Sequence, residues 1–361
     1  VNFRDNAVQA YDLNCVVQTM VNDADAVAYL NGTTAIRCVT DDKDNTVVVN
    51  PTVKTAMTAS APAYDNTTDI GAAVLQVLGG EFGRTYSINI NGVQIAYYRT
   101  PAGSNPDDPA WSTTAQITNQ LVYALQNTYG PAAPPGYPAG GSAPALYGVS
   151  ACAGWYIRVA DDVIYLKSPS SSFTITVGDG AGGVNFKVCQ TSVTKISDLP
   201  RFAPHYYAVR IAEHTEASKD TWYKFIVSDI DTTTLPDITA FGRAGYWREA
   251  VAPGTNTAFD ANTMPHKLTY NGVWFQFSRE TYAPRGVGSD DSNAQPSFVG
   301  NTINDVSMFQ SRVVFLTGAN VCMSRTNLYT NFWKGSTTAL VDTDRIDVNS
   351  TVDSSQMISA V

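Results

Sequence analysis

The residues equipped for catalysis or metal binding are few and scattered. The 361-residue chain has three histidines, His205, His214 and His266, and none stands at metal-ligand spacing from another. Gly-x-Ser-x-Gly, the glycine-rich phosphate loop and His-Glu-x-x-His are absent. No motif therefore marks a nucleophile elbow, a nucleotide site or a zinc protease. A Ser–His–Asp triad needs only to meet in space, but no local motif supports one. Carboxylates come in adjacent pairs at Asp41-Asp42, Asp107-Asp108, Asp161-Asp162 and Asp290-Asp291. Two carboxylates flanking a sugar would supply the acid and the base or nucleophile of glycoside hydrolysis. Neighbours on a strand point to opposite faces, however, and most of these pairs sit in turn-like contexts that favour Asp for backbone reasons. Asp342, Asp344 and Asp347 have the carboxylate density of a calcium loop without its Gly or its closing Glu. The glycine-rich run Gly178 to Gly183 lies between two strands and opens no helix, so it reads as a hairpin loop, not a phosphate cradle. Cys15, Cys38, Cys152, Cys189 and Cys322 contain no Cys-x-x-Cys pair, which excludes a zinc ribbon. They read as reduced or buried thiols, in keeping with a reducing cytoplasm. The expectation is no catalytic residue, no cofactor and no metal.

The elements that carry these residues are mostly strands. Tyr86, Ile88 and Ile90 alternate with small or polar residues, Asn91-Gly92 follows, and Val93, Ile95 and Tyr97 alternate again. This predicts a hairpin over about 84–99, because Asn-Gly supplies the two left-handed turn residues. Trp155 to Val159 and Val163 to Lys167 flank Asp161-Asp162 as a second hairpin. Phe173, Ile175 and Val177, then Val184 to Cys189, Tyr206 to Ile211, Trp222 to Val227 and Val273 to Phe277, read as further strands. Ile117, Leu121 and Leu125 share one helical face, predicting a helix from Ser112, its expected cap, to Asn127. Weaker helical patterns cover Ile70 to Leu78 and Leu328 to Trp333. Residues 130–144 are dense in Pro and Gly and predict an extended, poorly packed loop. Softer boundaries fall near 197–206 and 284–298.

Composition narrows the class. With 44% hydrophobic residues the chain is not wholly disordered. There are 23 Lys+Arg against 32 Asp+Glu, a net charge of −9, with no basic run. That argues against tight nucleic-acid binding, though not against a surface along which DNA slides. No apolar run approaches the roughly 20 residues of a membrane-spanning helix. The 6 Trp, 19 Tyr and 14 Phe would bind glycans or stack bases if exposed; otherwise they fill sheet cores and subunit interfaces. Val1 in place of Met, and a strand-like end at Met357 to Val361, predict an internal piece of a longer polypeptide.

One region has a distinctive order of motifs. Pro296-Ser297-Phe298-Val299-Gly300 leads to Ile303-Asn304-Asp305-Val306, then Arg312, then Phe315-Leu316-Thr317-Gly318-Ala319-Asn320, then Met323-Ser324-Arg325. Asn331-Phe332-Trp333 follows, then Asp342, Asp344 and Ile346-Asp347-Val348. Upstream stand Met264-Pro265-His266 and Leu78-Gly79-Gly80-Glu81-Phe82-Gly83-Arg84. Together these resemble the tail tubular protein B, or nozzle protein, family of short-tailed podovirus-type bacteriophages, over about residues 36–361. Gln310, Ala319 and Arg345 depart from the pattern, which often has Arg, an acidic residue and Pro there.

The resemblance implies a mainly β, multi-domain structural protein, with a β-propeller-like region and an inserted α+β domain. Residues 1–60 would form a β segment of a larger platform or propeller region, 80–195 the insert, and 200–361 a β region continuing beyond this fragment. It implies no enzyme but a homo-hexameric nozzle in the virion tail, assembled in the host cytoplasm. The ring would meet the tail adaptor (tail tubular protein A) ring, help dock tail fibres, retain the genome and pass double-stranded DNA without sequence-specific binding. The alternative is a glycan-binding or glycan-cleaving β protein on the virion surface. Read as residues, Gly300 and Gly318 permit tight turns, Asn304-Asp305 fixes a turn, and Arg312 and Arg325 are expected to pair with a carboxylate such as Asp305 or Asp347.

Overall fold

A computed structural model describes the chain apart from residues 5–6, 33–34, 42–44, 59–70, 139–143, 170–171, 214, 217–219, 230–239 and 350–361. Asp42, His214, Ile70, residues 139–143 of the Pro/Gly stretch and the expected end strand Met357 to Val361 thus lie outside the described residues. The protein is mostly β, with 39% strand against 8% helix, so its backbone polar groups are satisfied chiefly between strands. The described strands form six sheets, and no closed barrel or propeller is seen among them. The chain divides into two compact units, Val1–Pro62 with Val251–Val361, and Ala63–Ala250.

In the continuous unit, Thr85–Ile90 and Val93–Arg99 form the hairpin about Asn91-Gly92. Both turn residues have positive φ, 52° and 79°, the geometry that makes Asn-Gly the favoured pair. These strands lie in a five-stranded sheet with Ile175–Gly178, Ala145–Val149 and Thr128–Ala132. The last of these corrects the loop reading of 130–144 at its start: Gly130, Pro131 and Ala132 form an edge strand. Pro is tolerated there because an edge leaves N–H positions unpaired. A four-stranded sheet is ordered Tyr156–Ala160, Val163–Lys167, Ala72–Val77, Phe186–Cys189. The two sheets and the helix Thr114–Gln126 share one core, including Leu75, Ile88, Tyr98, Ile117, Leu121, Leu125, Leu146 and Ile164.

That helix is capped by Thr113, whose Oγ1 accepts the Gln116 N–H at 3.2 Å. The expected cap, Ser112, instead donates to the Asp108 carbonyl at 3.0 Å and closes the preceding helical turn Asp108–Trp111. The helical reading of Ile70 to Leu78 is also corrected, since Ala72–Val77 is a strand buried at every position. Ala73, Leu75 and Val77 enter the first core, while Ala72 and Val74 enter a second with Val209, Ile211, Phe225 and Val227. A strand buried on both faces has no polar alternation, and periodicity alone does not separate it from a buried helix. The second core also ties the sheet Ser192–Val193, Ala208–Ile211, Thr221–Val227, Gly245–Ala250 to this unit. Residues 200–250 therefore group with the insert.

In the discontinuous unit, Thr46–Val49 pairs with Arg37–Thr40 on one side and His266–Tyr270 on the other. Phe275–Arg279 and Met20–Asn22 complete that sheet. Val49 faces an aromatic core with Phe298, Phe315, Phe332 and Trp333, while Val48 faces a second core with Leu30, Leu268 and Phe277. The motif-rich end of the chain builds a four-stranded meander, Asp305–Phe309, Arg312–Thr317, Asn320–Met323 and Ile346–Asn349. Its first turn, Gln310-Ser311, has φ of 48° and 56°, and Gly318 in the second has φ 54°. The short helix read at Leu328 to Trp333 is a run of turns instead. Leu328 N–H bonds Arg325 O, Asn331 N–H bonds Leu328 O, and Asn331 Oδ1 accepts the Trp333 N–H at 3.0 Å, a side-chain turn that competes with helix.

Candidate functional site

The motif residues converge around one aromatic cluster. Phe298 sits edge-on to Phe332 at 5.2 Å and to Phe315 at 5.5 Å, while Phe315 stacks on Phe332 at 4.8 Å. Phe259 stacks on Trp333 at 5.1 Å. Pro296-Ser297-Phe298-Val299-Gly300 delivers Phe298 through a turn closed by Val299 N–H to Pro296 O at 2.9 Å. Gly300, at φ 81°, then donates to Thr55 O at 2.8 Å, and Thr55 Oγ1 bonds back to Phe298 O. This stitches the motif to a segment some 240 residues earlier in the chain. Ile303 and Val306 are buried in the same core. Asn304 donates to Leu316 O at 2.7 Å, and Asp305 accepts from the N–H of Val306.

The arginines do not follow the sequence expectation in one respect. Arg312 is buried, and its guanidinium meets no carboxylate among the described residues. It donates through Nη1 to Ser324 O and Asp344 O, and through Nη2 to Asp342 O, each at 2.6 Å. The planar fork reaches carbonyls on two separate segments at once, which the compact ammonium of a lysine would not do. Ser324 lies beside it, its Oγ accepting the Val313 N–H at 3.0 Å. Arg325 pairs with Asp344, Nε to Oδ1 at 3.3 Å, and Asp344 also accepts from Gly335 N–H at 2.8 Å. Neither Asp305 nor Asp347 answers these arginines. Asp347 accepts the Ser297 N–H at 2.8 Å and lies 4.0 Å from Arg345, which ties the last strand to the first motif. Ile346 and Val348, alternating with Asp347, are exposed.

Two further arginines complete the cluster: Arg285, which the sequence did not single out, and Arg345, noted there only as a departure from the family pattern. Arg285 is buried, lies 4.4 Å over the Trp333 ring and reaches Asp290 at 2.7 Å. Arg345 lies 6.0 Å from the same ring and donates to Phe332 O at 3.3 Å. Cation–ring stacking is strongest for Trp, but nothing at 285 or 345 signals it in one dimension. Burial, then the nearby Asp347 charge, holds the Cys322 thiol well above its ordinary range, so it stays protonated. Arg312, Arg325, Asp344, Arg345 and Asp347 are all engaged in holding chain segments together.

The other candidates are equally occupied. Asp161-Asp162 forms a hairpin turn in which Arg201 bridges both carboxylates at 3.0 and 2.7 Å. Asp108 accepts from Asn105 N–H and the Tyr137 hydroxyl. The Gly-rich run is not the hairpin loop expected from sequence but a crossing from Ile175–Gly178 in the five-stranded sheet to Phe186–Cys189 in the four-stranded one, and in it Asp179 accepts three backbone N–H groups, from Ala181, Gly183 and Asn185. Burial alone would raise its proton affinity, but these bonds outweigh burial and hold its carboxyl below the usual range. His205 accepts the Val227 N–H through Nδ1 at 3.0 Å. His266 stacks on Tyr29 and shares its Nδ1 proton with Met264 O at 2.8 Å; burial lowers its pKa to about 4, so the ring is neutral near pH 7. An open cavity of about 240 Å³ is lined by residues including Asp41, His266, Lys267, Glu280, Tyr282 and Phe315. Its carboxylates are taken up locally: Asp41 by Asn45, and Glu280 by Lys267 at 3.2 Å and the Thr281 N–H at 2.7 Å. Among the described residues no group of three or more His, Cys, Asp or Glu is placed to hold a metal ion. No helix among them is long and apolar enough to cross a membrane.

Comparison with known proteins agrees with this architectural reading. The family model described as bacteriophage nozzle protein matches residues 1–361. The chain is similar to the tail tubular protein gp12 of Escherichia phage T7, at 27% identity over 311 residues, which is 84% of this chain. It spans 34% of that relative's length. A motif spent on packing and a family match along the whole chain lead to one conclusion: the chain belongs to the bacteriophage nozzle protein family, a family of structural phage tail proteins.

Proposed function

We propose that the chain is part of a subunit of a six-membered nozzle ring in a short phage tail. In this reading the ring sits below the adaptor ring, helps dock the tail fibres, holds the packaged genome until attachment, and then passes the DNA out. The observation that carries the reading is the family match over residues 1–361. The net charge of −9 supports it physically, since acidic walls repel phosphate and reduce adhesion within roughly one Debye length, about 8–10 Å. In this reading the whole subunit carries the β-propeller-like region implied by the sequence resemblance. The role is passive: no bond is made or broken, and the chain's work is to keep a rigid wall.

The test is genetic. Particles assembled without the protein should have incomplete tails, lose packaged DNA and fail to deliver it. Particles with complete tails and normal delivery would overturn the reading. A glycan-cleaving activity would appear as release of reducing ends from capsular or lipopolysaccharide glycans, lost when one carboxylate is changed to its amide. The account predicts no such release.

A further inference from the structure

Two turns of the discontinuous unit expose apolar side chains at the same end of one sheet. The strand Met20–Asn22 runs parallel to Phe275–Arg279, with Met20 opposite Phe275 and the Phe275 N–H donating to Thr19 O at 2.9 Å. The turns that lead into these strands, at 11–17 and 270–274, are therefore neighbours. In the first, Leu13 is fully exposed, Val16 and Val17 are more than half exposed, and Tyr11, bridged to Val17, is exposed too. In the second, Val273 is 71% exposed, Tyr270 is half exposed and Trp274 is exposed as well. Residues 7–32 and 241–349, which carry both turns, are described throughout. Each turn is bonded internally. Asp12 Oδ1 accepts the N–H of Asn14 at 2.9 Å and of Val16 at 2.8 Å, and Cys15, at φ 61°, donates to Asp12 O at 3.0 Å. Asn271 Oδ1 accepts the N–H of Val273 at 3.0 Å and of Trp274 at 2.9 Å, and the Tyr270 ring lies 4.6 Å from that of Phe275. Turns ordered in advance lose less freedom on binding, so less of the gain from burying their side chains is cancelled.

The chemistry of the two tips selects the kind of partner. A single exposed Leu or Val needs no explanation, but these seven large apolar side chains gathered at one end of a sheet do. Their exposed surface, on the order of several hundred Å², approaches one side of a standard protein interface, about 800 Å². Trp and Tyr are enriched where such interfaces concentrate binding energy. Asp12 is the only charged residue within 9–22 and 268–278. No cation stands in these segments to meet the phosphates of DNA or of an anionic lipid surface. Copies of this chain repel one another, since each carries a net charge of −9. A contact between two such copies costs least where charge is sparse, and the tips are such a place. We propose that the paired tips carrying Leu13, Val16, Val17, Tyr270, Val273 and Trp274 are a subunit contact that packs against a second copy of this protein. This rests on the ring reading above.

Mass photometry of the full-length protein across concentration tests it, together with maleimide labelling of Cys15, the exposed thiol of the first tip. Cys15 should label in the dissociated subunit and react about tenfold or more slowly in the ring. Leu13→Asp and Val273→Asp change exposed side chains, so the fold should survive; an unchanged circular dichroism spectrum checks that. Each should raise the half-assembly concentration about tenfold or more. Val184→Asp, the same change at an exposed valine of the other unit, should stay within about twofold. If wild type forms rings, both tip variants assemble equally well and Cys15 labels as fast in the ring, the contact is wrong while the ring reading stands. Protection of Cys15 already in the dissociated subunit also overturns the contact and assigns the tips to packing within one full-length chain. A loss of assembly in Val184→Asp as large as in the tip variants overturns it as well. Binding to phosphatidylcholine vesicles that Leu13→Asp abolishes, with assembly unchanged, overturns the contact and assigns the tips to lipid. A wild type that stays monomeric at every concentration overturns both readings.

Discussion

Replacing Arg312 should loosen the motif region more than any other single polar change. Its guanidinium donates at 2.6 Å to three carbonyls. Those of Ser324 and Asp344 belong to buried residues, and that of Asp342 to an exposed one. In Arg312→Met the Asp342 carbonyl is resolvated, but the other two are left without a donor. Each orphaned buried carbonyl costs about 1–3 kcal/mol. Relief of the buried charge offsets part of this, leaving a net loss of about 3 kcal/mol. For a unit of this size that lowers the melting temperature by roughly 6–12 °C. Arg312→Lys should fall between, because one ammonium nitrogen does not span both segments. Differential scanning calorimetry of the whole chain reads the transition. Hydrogen exchange locates it, with the Gly335 amide, which donates to Asp344, exchanging faster. A methionine variant melting within about 1 °C of wild type, with Gly335 unchanged, would refute the reasoning.

Three further outcomes follow from the same geometry. His266 has a folded pKa of about 4, below its ordinary 6.5. The unfolded chain therefore takes up the proton first, and the neutral ring's stability, complete above about pH 6.5, is lost as pH falls toward 4, by roughly 3 kcal/mol in all. Denaturant titrations at several pH values should show that slope flattened in His266→Phe, and an unchanged slope would count against the assignment. Gly148→Ala should destabilise by about 1–3 kcal/mol or more, because the new Cβ would stand 2.0 Å from the Ala124 carbonyl of the packed helix; wild-type denaturant midpoints would contradict that. Alkylation of the native chain followed by mass spectrometry should label Cys15 first, Cys38 more slowly because burial raises its thiol pKa to about 11, and spare Cys152, Cys189 and Cys322 until unfolding; early labelling of Cys322 would mean its core opens.

The sequence was readable where one local signal decided the outcome. Asn91-Gly92 and Asp161-Asp162 sit between alternating strands, and both hairpins form there. Ile117, Leu121 and Leu125 face the core from a helix as their spacing requires. Signals failed where tertiary contacts decided. Ala72–Val77 serves two cores and so carries no alternation. Leu328 to Trp333 has apolar spacing, but Asn331 captures the Trp333 N–H and breaks the turn. Ser112 and Thr113 are both good caps, and which one acts depends on Ser112 closing the preceding turn. At the motif cluster, the aromatic core around Phe298 was visible in composition. The partners of Arg312 were not, because backbone carbonyls leave no mark in a sequence. Arg285 reaches Trp333 across nearly fifty residues, a juxtaposition only the fold creates.

The most direct test of the central claim is a cryo-electron microscopy reconstruction of the intact virion tail. The account predicts six copies of this protein around one continuous channel wide enough for duplex DNA, with the Phe298–Trp333 cluster buried in each copy. A tail that carries the protein as a separate peripheral spike, or in a ring with no through-channel, would contradict it.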